Sequence, residues 1–380
     1  ADNNENKVLN VPHLRFPEFS GEWEMASLQD IAAINPKSDQ LQNTFIYIDL
    51  EAVEKGELRK IQEIMREEAP SRAQRVINNN DILFQCVRPY QKNNYIHKIL
   101  NTSNQQWVAS TGYAQIRTTE SPNYIYHLLN TDGFNRKVMV RCTGSSYPAI
   151  NSEDLATIRF YYTPDKKEQF KISRLLDLID ERIATQNKII EDLKLLKSAI
   201  RKKVFVSLKE EHTESCEINQ LLTYEQPTAY IVTNDEYSTD TTLIPVLTAN
   251  KGFVLGYTDE DFSIYQKGEC IIFDDFTMDA KYVSFPFKVK SSAIKILTAK
   301  PNVNLRFMFE YLSYLELKSE EHKRHYISEI ASLVVELPSK EMQNKIASLM
   351  TSLDNKLALE ENTKVKYEDE KQYQLSQMFI

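Results

Sequence analysis

Glycine is scarce in this chain of 380 residues: only 8 occur, and they form neither a GxGxxG nor a GxxxxGK[ST] run. Loops that cradle nucleotide phosphates on backbone N–H groups need such glycines, so dinucleotide and nucleoside-triphosphate chemistry is not expected. The 4 cysteines, Cys86, Cys142, Cys216 and Cys270, lie far apart without a CxxC pair. This spacing suits reduced, mostly buried thiols better than a disulfide framework or a zinc site. Apolar runs stop after a few residues, as in Cys270-Ile271-Ile272-Phe273, and the opening ADNNENKVLN has no apolar core. A membrane span and a signal peptide are therefore not expected, whereas a cytoplasmic location is.

Catalytic constellations are also thin. His322 and His325 share a helix-like spacing in EEHKRHY, but no carboxylate follows at metal-ligand spacing, so a basic surface cluster is the better reading. Asp274 and Asp275 in FDDFT could work as an acid and base pair, yet neighbours on a strand point to opposite faces, which favours structural roles. Serine and cysteine nucleophile signatures are missing. These absences point to binding rather than chemistry, with no metal and no cofactor bound by the chain.

What the chain has is a repeat. KEQFKISRLLDLIDERI at 167–183 returns in weaker form as EMQNKIASLMTSLDNKL at 341–357, at a constant offset of 174 residues. The register holds without a gap from Pro164 over Pro338, through Gln169 over Gln343 and Asp180 over Asp354, to Phe205 over Phe379. The chain thus reads as two similar halves, each closing in a long helix. In the first copy Ile172, Leu176, Ile179, Ile183, Ile190, Leu193, Ile200 and Val204 step by threes and fours, broken only by Gln186 and Lys197. A helix from Glu168 to Phe205 would run ~57 Å at ~1.5 Å per residue. The second seam runs through Ile346, Met350, Leu353 and Leu357, then turns polar with Glu360, Lys364 and Lys371. Both helices follow a proline, with Asp165 and Ser339 as N-caps and Glu168 as the glutamate of a capping box.

Between the helices, β-branched and aromatic runs predict strands at Thr44–Ile48, 81–87, 108–116, Ile244–Leu247, 269–273 and 285–289. Short helices are expected over 28–33, 124–129 and 306–315. The fold class is α+β: two globular domains, at 1–163 and 207–337, alternating with long helices at 164–206 and 338–380. Each helix carries an apolar seam too long to leave in water, so the helices are expected to pack on each other; docking of each on its own domain is the alternative.

Charge is divided along the chain, although the net value is −8. Residues 1–68 hold 7 basic and 14 acidic side chains, whereas 69–150 hold 9 basic and 3 acidic. No acid lies between Asp279 and Glu310, a stretch carrying Lys281, Lys288, Lys290, Lys295, Lys300 and Arg306. Such blocks can form a face that attracts phosphates, and lysines scattered over the surface would give the same counts.

Further stretches carry a resemblance: LRFPEFSGEW at 14–23, DILFQCVRPY at 81–90, WVASTGYAQIR at 107–117 and GSSYPAI at 144–150 in the first half, then PVLTANKGFVLGYTDE at 245–260, IIFDDFT at 271–277 and FPFKVKSSAIKIL at 285–297. With the doubled PxxxEQxxI helix start, the chain resembles the DNA-specificity subunit (HsdS) of type I restriction-modification systems over nearly its whole length. Met342 replaces the glutamate of the EQ pair in the second copy, and Asn355-Lys356 stand where the first copy has Glu181-Arg182. The resemblance implies two target recognition domains, each reading half of a bipartite, asymmetric site on double-stranded DNA. It implies an antiparallel coiled coil of the two helices, with pseudo-twofold internal symmetry and a length that spaces the half-sites. Methyltransferase subunits (HsdM) would dock on the helices and supply S-adenosylmethionine and adenine methylation; restriction and translocase subunits (HsdR) would cut unmethylated DNA. The chain itself would be a non-catalytic part of host defence. A stand-alone DNA-binding regulator and a coiled-coil adaptor remain as other readings.

Groove chemistry then nominates contacts. In the first domain these are Arg72, Arg75, Arg88, Lys92, Arg117, Arg136, Lys137 and Arg141, with the hydroxyls of Ser145, Ser146 and Tyr147. In the second they are Asn250, Lys251, Tyr257, Lys281, Lys290, Ser291, Ser292, Lys295, Lys323 and Arg324. Packing is the competing role for Arg88 and Tyr90. Tyr47, Tyr257 and Phe276 read mainly as core aromatics, while Phe16, Phe19 and Trp23 are expected to anchor the first segment on its domain.

Overall fold

The computed structural model describes residues 10–98, 105–208, 214–248, 252–317 and 326–380. Its contacts divide the chain into two units, one of residues 1–187 with 362–380 and one of residues 188–361. The long helices are Lys166–Leu208, of 43 residues, and Lys340–Met378, of 39. The first is longer than its seam suggests. Each helix contributes one part to each unit.

In the first unit the strands Ala32–Ile34, Tyr113–Thr118, Ile82–Gln85 and Tyr95–Ile96 form an antiparallel sheet in that order. A second sheet is ordered Gln62–Met65, Thr44–Ile48, Gln106–Ser110 and Ala73–Ile77, with Gln106–Ser110 parallel to Thr44–Ile48. The strand Ile82–Gln85 is buried on both faces. Ile82 and Phe84 turn to a core that includes Tyr124 and Ile125 of the helix Pro122–Leu129, and Leu83 turns to a core with Ile48, Ile77 and Tyr113. Two-sided burial explains why its first three residues, Ile82-Leu83-Phe84, read as a continuous apolar run.

The second unit repeats the plan. Leu222–Glu225, Ile294–Ala299, Cys270–Asp274 and Ala280–Val283 form an antiparallel sheet, and Val254–Thr258, Ile244–Leu247 and Lys288–Val289 form a second, with Lys288–Val289 parallel to Ile244–Leu247. Cys270–Asp274 is again buried on both faces: Ile271 and Phe273 join the core containing Phe307 of the helix Leu305–Tyr314, while Cys270 and Ile272 join a core with Leu247 and Phe287. A two-stranded ribbon closes each unit, Glu24–Ser27 with Arg159–Tyr162 and Glu214–Glu217 with Val334–Leu337.

The seam residues turn inward within each unit. Ile172 and Leu176 pack in one core with Leu375, Met378 and Phe379, and Phe205 and Leu208 pack in one with Ile346 and Met350. Ile179, Ile190 and Leu357 are buried, and Ile183, Leu193, Ile200 and Leu353 are half-buried. The helices run antiparallel inside each unit: Asp180 meets Lys371 at 2.5 Å, and Lys197 meets Asp354 at 2.5 Å. The polar later seam is therefore ion-paired, and Lys197, a break in the apolar series, also approaches the fully buried Glu310 at 3.6 Å.

The repeated glutamines do the same job twice. Gln169 accepts from Ser121 N–H at 2.9 Å, just before the helix Pro122–Leu129, and donates to the Thr163 carbonyl at 2.8 Å. Gln343 accepts from Asn304 N–H at 2.8 Å, the N-cap of Leu305–Tyr314, and donates to the Pro338 carbonyl at 2.9 Å. Each long helix is thus fastened to a short helix of its own unit. Asp165 and Ser339 cap as expected, accepting from Lys167 N–H at 2.8 Å and Met342 N–H at 3.3 Å.

Two expectations are corrected. Glu168 does not close a capping box: its fully buried carboxylate takes both Nε and Nη2 of Arg15, at 2.7 and 2.9 Å, and the Thr163 hydroxyl at 2.6 Å. The run 108–116 is two strands in two sheets, Gln106–Ser110 and Tyr113–Thr118, joined at Thr111-Gly112. Gly112 suits that turn because a Cβ would sit 2.9 Å from Leu50 Cδ1. Trp23 is an anchor as expected, edge-on to Tyr124 and Phe379 at 6.3 and 6.2 Å.

Candidate nucleic-acid interface

In the first unit, main-chain hydrogen bonds tie four loops into one rim. Thr111 N–H donates to the Arg72 carbonyl at 2.9 Å, and Cys86 N–H donates to the Gly112 carbonyl at 3.0 Å. Ile150 N–H donates to the Cys86 carbonyl at 3.0 Å, and Arg88 N–H to the Pro148 carbonyl at 2.7 Å. The rim thereby gathers Arg72, Arg75, Arg88, Tyr90, Ser145, Ser146 and Tyr147. Arg72, Tyr90 and the 143–147 loop are exposed. Thr143 and Ala149 exchange two hydrogen bonds of 2.9 Å at the base of that loop.

Arg75 is recessed. It lies on the strand Ala73–Ile77, half-buried, with its Nε shielded from water and lacking an acceptor among the described residues. Burial lowers the affinity of its guanidinium for a proton, opposed by nearby Cys86, and burial pushes that thiol up to about 12. A desolvated cation without a counter-charge is costly unless something anionic completes it.

Arg88 stands in a strained corner. It has φ +54° and Lys92 has φ +52°, left-handed values for non-glycine residues, on either side of the turn Pro89–Gln91. Its guanidinium lies over the Tyr147 ring, 4.4 Å from the centroid.

Four other nominated cations donate to acceptors of their own unit. Lys92 pairs with Asp132 at 2.5 Å and reaches the Asn130 carbonyl at 3.1 Å. Arg117 grips the buried Asp81 through Nε and Nη2 at 2.9 and 2.8 Å. Lys137 donates to the Arg159 carbonyl at 3.0 Å, and Arg141 to the Asp154 carbonyl at 2.9 Å and the Thr157 hydroxyl at 2.7 Å. Arg136 is exposed on the helix Asp132–Arg141.

The second unit builds the corresponding rim. Asp275 N–H donates to the Ala293 carbonyl at 3.1 Å, in the place of the bond from Cys86 to Gly112, and Lys290 N–H donates to the Leu247 carbonyl at 2.9 Å. Its turn, residues 290–293, presents Lys290 and Ser291 exposed and Ser292 half-buried. Lys290 lies 3.9 Å from Asp235 and 5.8 Å from the Tyr237 ring centroid. Lys281 is exposed on its edge strand, and Tyr257 is half-buried opposite Pro245. Lys295 is buried, its side chain 1% exposed and paired with Asp275 at 3.3 Å, so burial takes it out of any surface contact. Asn250, Lys251, Lys323 and Arg324, with His322 and His325, lie outside the described residues.

Asp274 and Asp275 have separate structural tasks. Asp274 accepts from Phe276 and Thr277 N–H at 2.8 and 3.2 Å, whereas Asp275 holds Lys295 and accepts from Tyr326 N–H at 2.9 Å. Among the described residues no group of three or more His, Cys, Asp or Glu is placed to hold a metal ion, and no helix is long and apolar enough to cross a membrane.

This doubled module has counterparts. A family model described as the type I restriction modification DNA specificity domain matches residues 20–195 and again 210–368. The chain belongs to that family. A stretch of 142 residues is 39% identical to the type I restriction enzyme EcoR124I/EcoR124II specificity subunit of Escherichia coli, covering 36% of this chain and 35% of that protein. The match thus spans about a third of the curated relative's length. The S subunit of a type I restriction-modification system from M. genitalium has a TM-score of 0.63 at 14% identity, over 97% of this chain and 99% of that one. A chain solved for complex assembly and conformational transition of the type I R-M system gives 0.57 at 18%, over 96% and 98%. At these identities the structural likeness concerns the fold. The two matches of the specificity family each cover one globular part and the beginning or body of a long helix, which is the repeat read from the residues.

Three features of this specificity-family chain escape sequence reasoning. Arg15 as the partner of Glu168 lies 153 residues away, and nothing local announces it. The strain at Arg88 belongs to a residue type that carries no turn signal. The network of Arg201 and Arg306 on Glu310, at 2.7 Å each, is assembled from both a long and a short helix.

Proposed function

We propose that this chain is the DNA-reading, non-catalytic subunit of a type I restriction-modification enzyme. Each globular part recognises one half of a bipartite, asymmetric site on duplex DNA through its rim. The long helices offer the docking ground for methyltransferase subunits, which carry S-adenosylmethionine and methylate adenine; restriction subunits join the same assembly and act in the cytoplasm. The observation that carries this reading is the same module built twice, each with a rim that presents cations and hydroxyls: Arg72, Arg88 and the 143–147 loop in the first unit, Lys290 and Ser291 in the second. A rim with Arg72, Arg75 and Arg88 suits phosphate oxygens and guanine edges. The test is selection of random duplex DNA by the chain co-purified with a type I methyltransferase subunit from the same source. Enrichment of one split motif, its two parts separated by a fixed number of unread base pairs, is expected; recovery without sequence preference overturns the reading. Selective binding by the chain without any partner favours a stand-alone regulator instead.

A further inference from the structure

We propose that Arg88 reads a guanine in the half-site of the first unit and that Tyr147 is its positioning residue; this deepens, and rests on, the DNA-specificity reading. Among the nominated cations of that unit, Lys92, Arg117, Lys137 and Arg141 already donate to acceptors of their own fold. The fold's own acceptors thus set where each of these cations points. Arg88 makes none with its side chain among the described residues. Its only side-chain partner there is the Tyr147 ring, which attracts the cation without occupying its N–H donors in conventional bonds. The contact restricts the guanidinium and leaves its donors free, as two parallel bonds to guanine O6 and N7 demand.

The backbone contributes the second part. At φ +54° a glycine would sit without strain, so an arginine there carries a conformational cost that the surrounding contacts offset. The Arg88 N–H bond to the Pro148 carbonyl at 2.7 Å fixes the corner to the loop that bears Tyr147. Gly144, with φ +88° and no room for a Cβ within 2.9 Å of the Tyr147 carbonyl, shapes that loop from the other side. Tyr147 is 64% exposed and Arg88 half-buried, so the ring that carries the guanidinium stands at the surface. Arg75, whose Nε is shielded from water on the strand Ala73–Ile77, is assigned to a phosphate.

The experiment measures adenine methylation by the complete complex of this chain with its methyltransferase, on duplexes in which each position of the wild-type motif is replaced in turn. Arg88→Lys keeps the charge and loses the fork; Arg88→Gly removes the side chain at a φ that glycine adopts without strain. Both are expected to lower discrimination at one G·C position, from roughly 10- to 100-fold to within about 3-fold, with the other half-site unchanged. Tyr147→Leu should weaken discrimination at that same position, and Tyr147→Phe should restore it. If Arg88→Lys keeps the full motif and loses rate evenly, Arg88 is a phosphate contact and the proposal is overturned. If the Arg88 variants relax the motif but Tyr147→Leu does not, the positioning role is overturned. A wild-type complex with no split motif would remove the underlying reading and this proposal with it, an outcome distinct from the other two.

Discussion

Replacing Gln169 or Gln343 by leucine should loosen one unit and spare the other. Both side chains are buried, 0% and 1% exposed, and leucine has nearly the same volume without the amide. Gln169→Leu strands the Ser121 N–H and the Thr163 carbonyl, and Gln343→Leu strands the Asn304 N–H and the Pro338 carbonyl. A buried main-chain group left unpaired costs about 1–3 kcal/mol, so each variant should lose about 3 kcal/mol of local stability. Gln169 also donates to Glu120 at 2.6 Å, but that carboxylate has a second partner in Lys166 and adds little. Because the chain has two units, a single unfolding midpoint would blur the effect. Hydrogen exchange read by mass spectrometry resolves it: about 3 kcal/mol corresponds to roughly 100-fold faster opening. The increase should fall on 121–129 and 163–170 for Gln169→Leu, and on 304–314 and 338–344 for Gln343→Leu. The sites share no partner, so the double variant should show both changes without extra loss. A cost below about 1 kcal/mol, or faster exchange in the other unit, would refute the reasoning.

Other predictions follow from the same contacts. Burial lowers the His97 imidazole from 6.5 to about 4, against the raising influence of Asp81, so the ring is neutral in the folded chain. Stability from its neutral form is complete above pH 6.5 and drains away as the pH falls toward 4, by roughly 3 kcal/mol; His97→Phe should flatten the denaturation midpoint across that window, and an unchanged slope would contradict it. Lys288→Met should strand the buried Glu260 carboxylate and cost about 3–5 kcal/mol in chemical denaturation of the second unit, whereas the pair of changes with Glu260→Leu should recover much of it. Arg72→Ala and Arg75→Ala should each weaken DNA binding evenly across sequences and lower the slope of log K against log salt by about 1; loss confined to one base position would reassign them as readers.

The long helices are legible because periodic apolar residues recur over many turns, and a second copy in register removes doubt about the first. The strands Ile82–Gln85 and Cys270–Asp274 are legible for the opposite reason, the continuous apolar runs Ile82-Leu83-Phe84 and Cys270-Ile271-Ile272-Phe273 with burial on both faces. The helix Asp132–Arg141 is not, since only Phe134 and Val138 are buried, while apolar Val140 points to water and the apolar spacing gives no clear face. Parallel pairing of Gln106–Ser110 with Thr44–Ile48 joins strands about sixty residues apart and leaves no local signal. The site is half legible. Charge segregation locates the basic block in 69–150, yet charge alone cannot tell Arg117, spent on Asp81, from Arg88, which is free to donate. That distinction depends on which acceptor the fold brings near. The same is true of Lys295, whose neighbour Asp275 is distant in sequence and buried beside it.

The most direct test is to express the chain with a type I methyltransferase subunit from the same source and map methylated adenines across the genome by long-read sequencing, beside a strain lacking the chain. One split, asymmetric motif, methylated only when the chain is present, is the predicted result. Methylation that is unchanged without the chain, or a motif in a single uninterrupted block, would contradict the account.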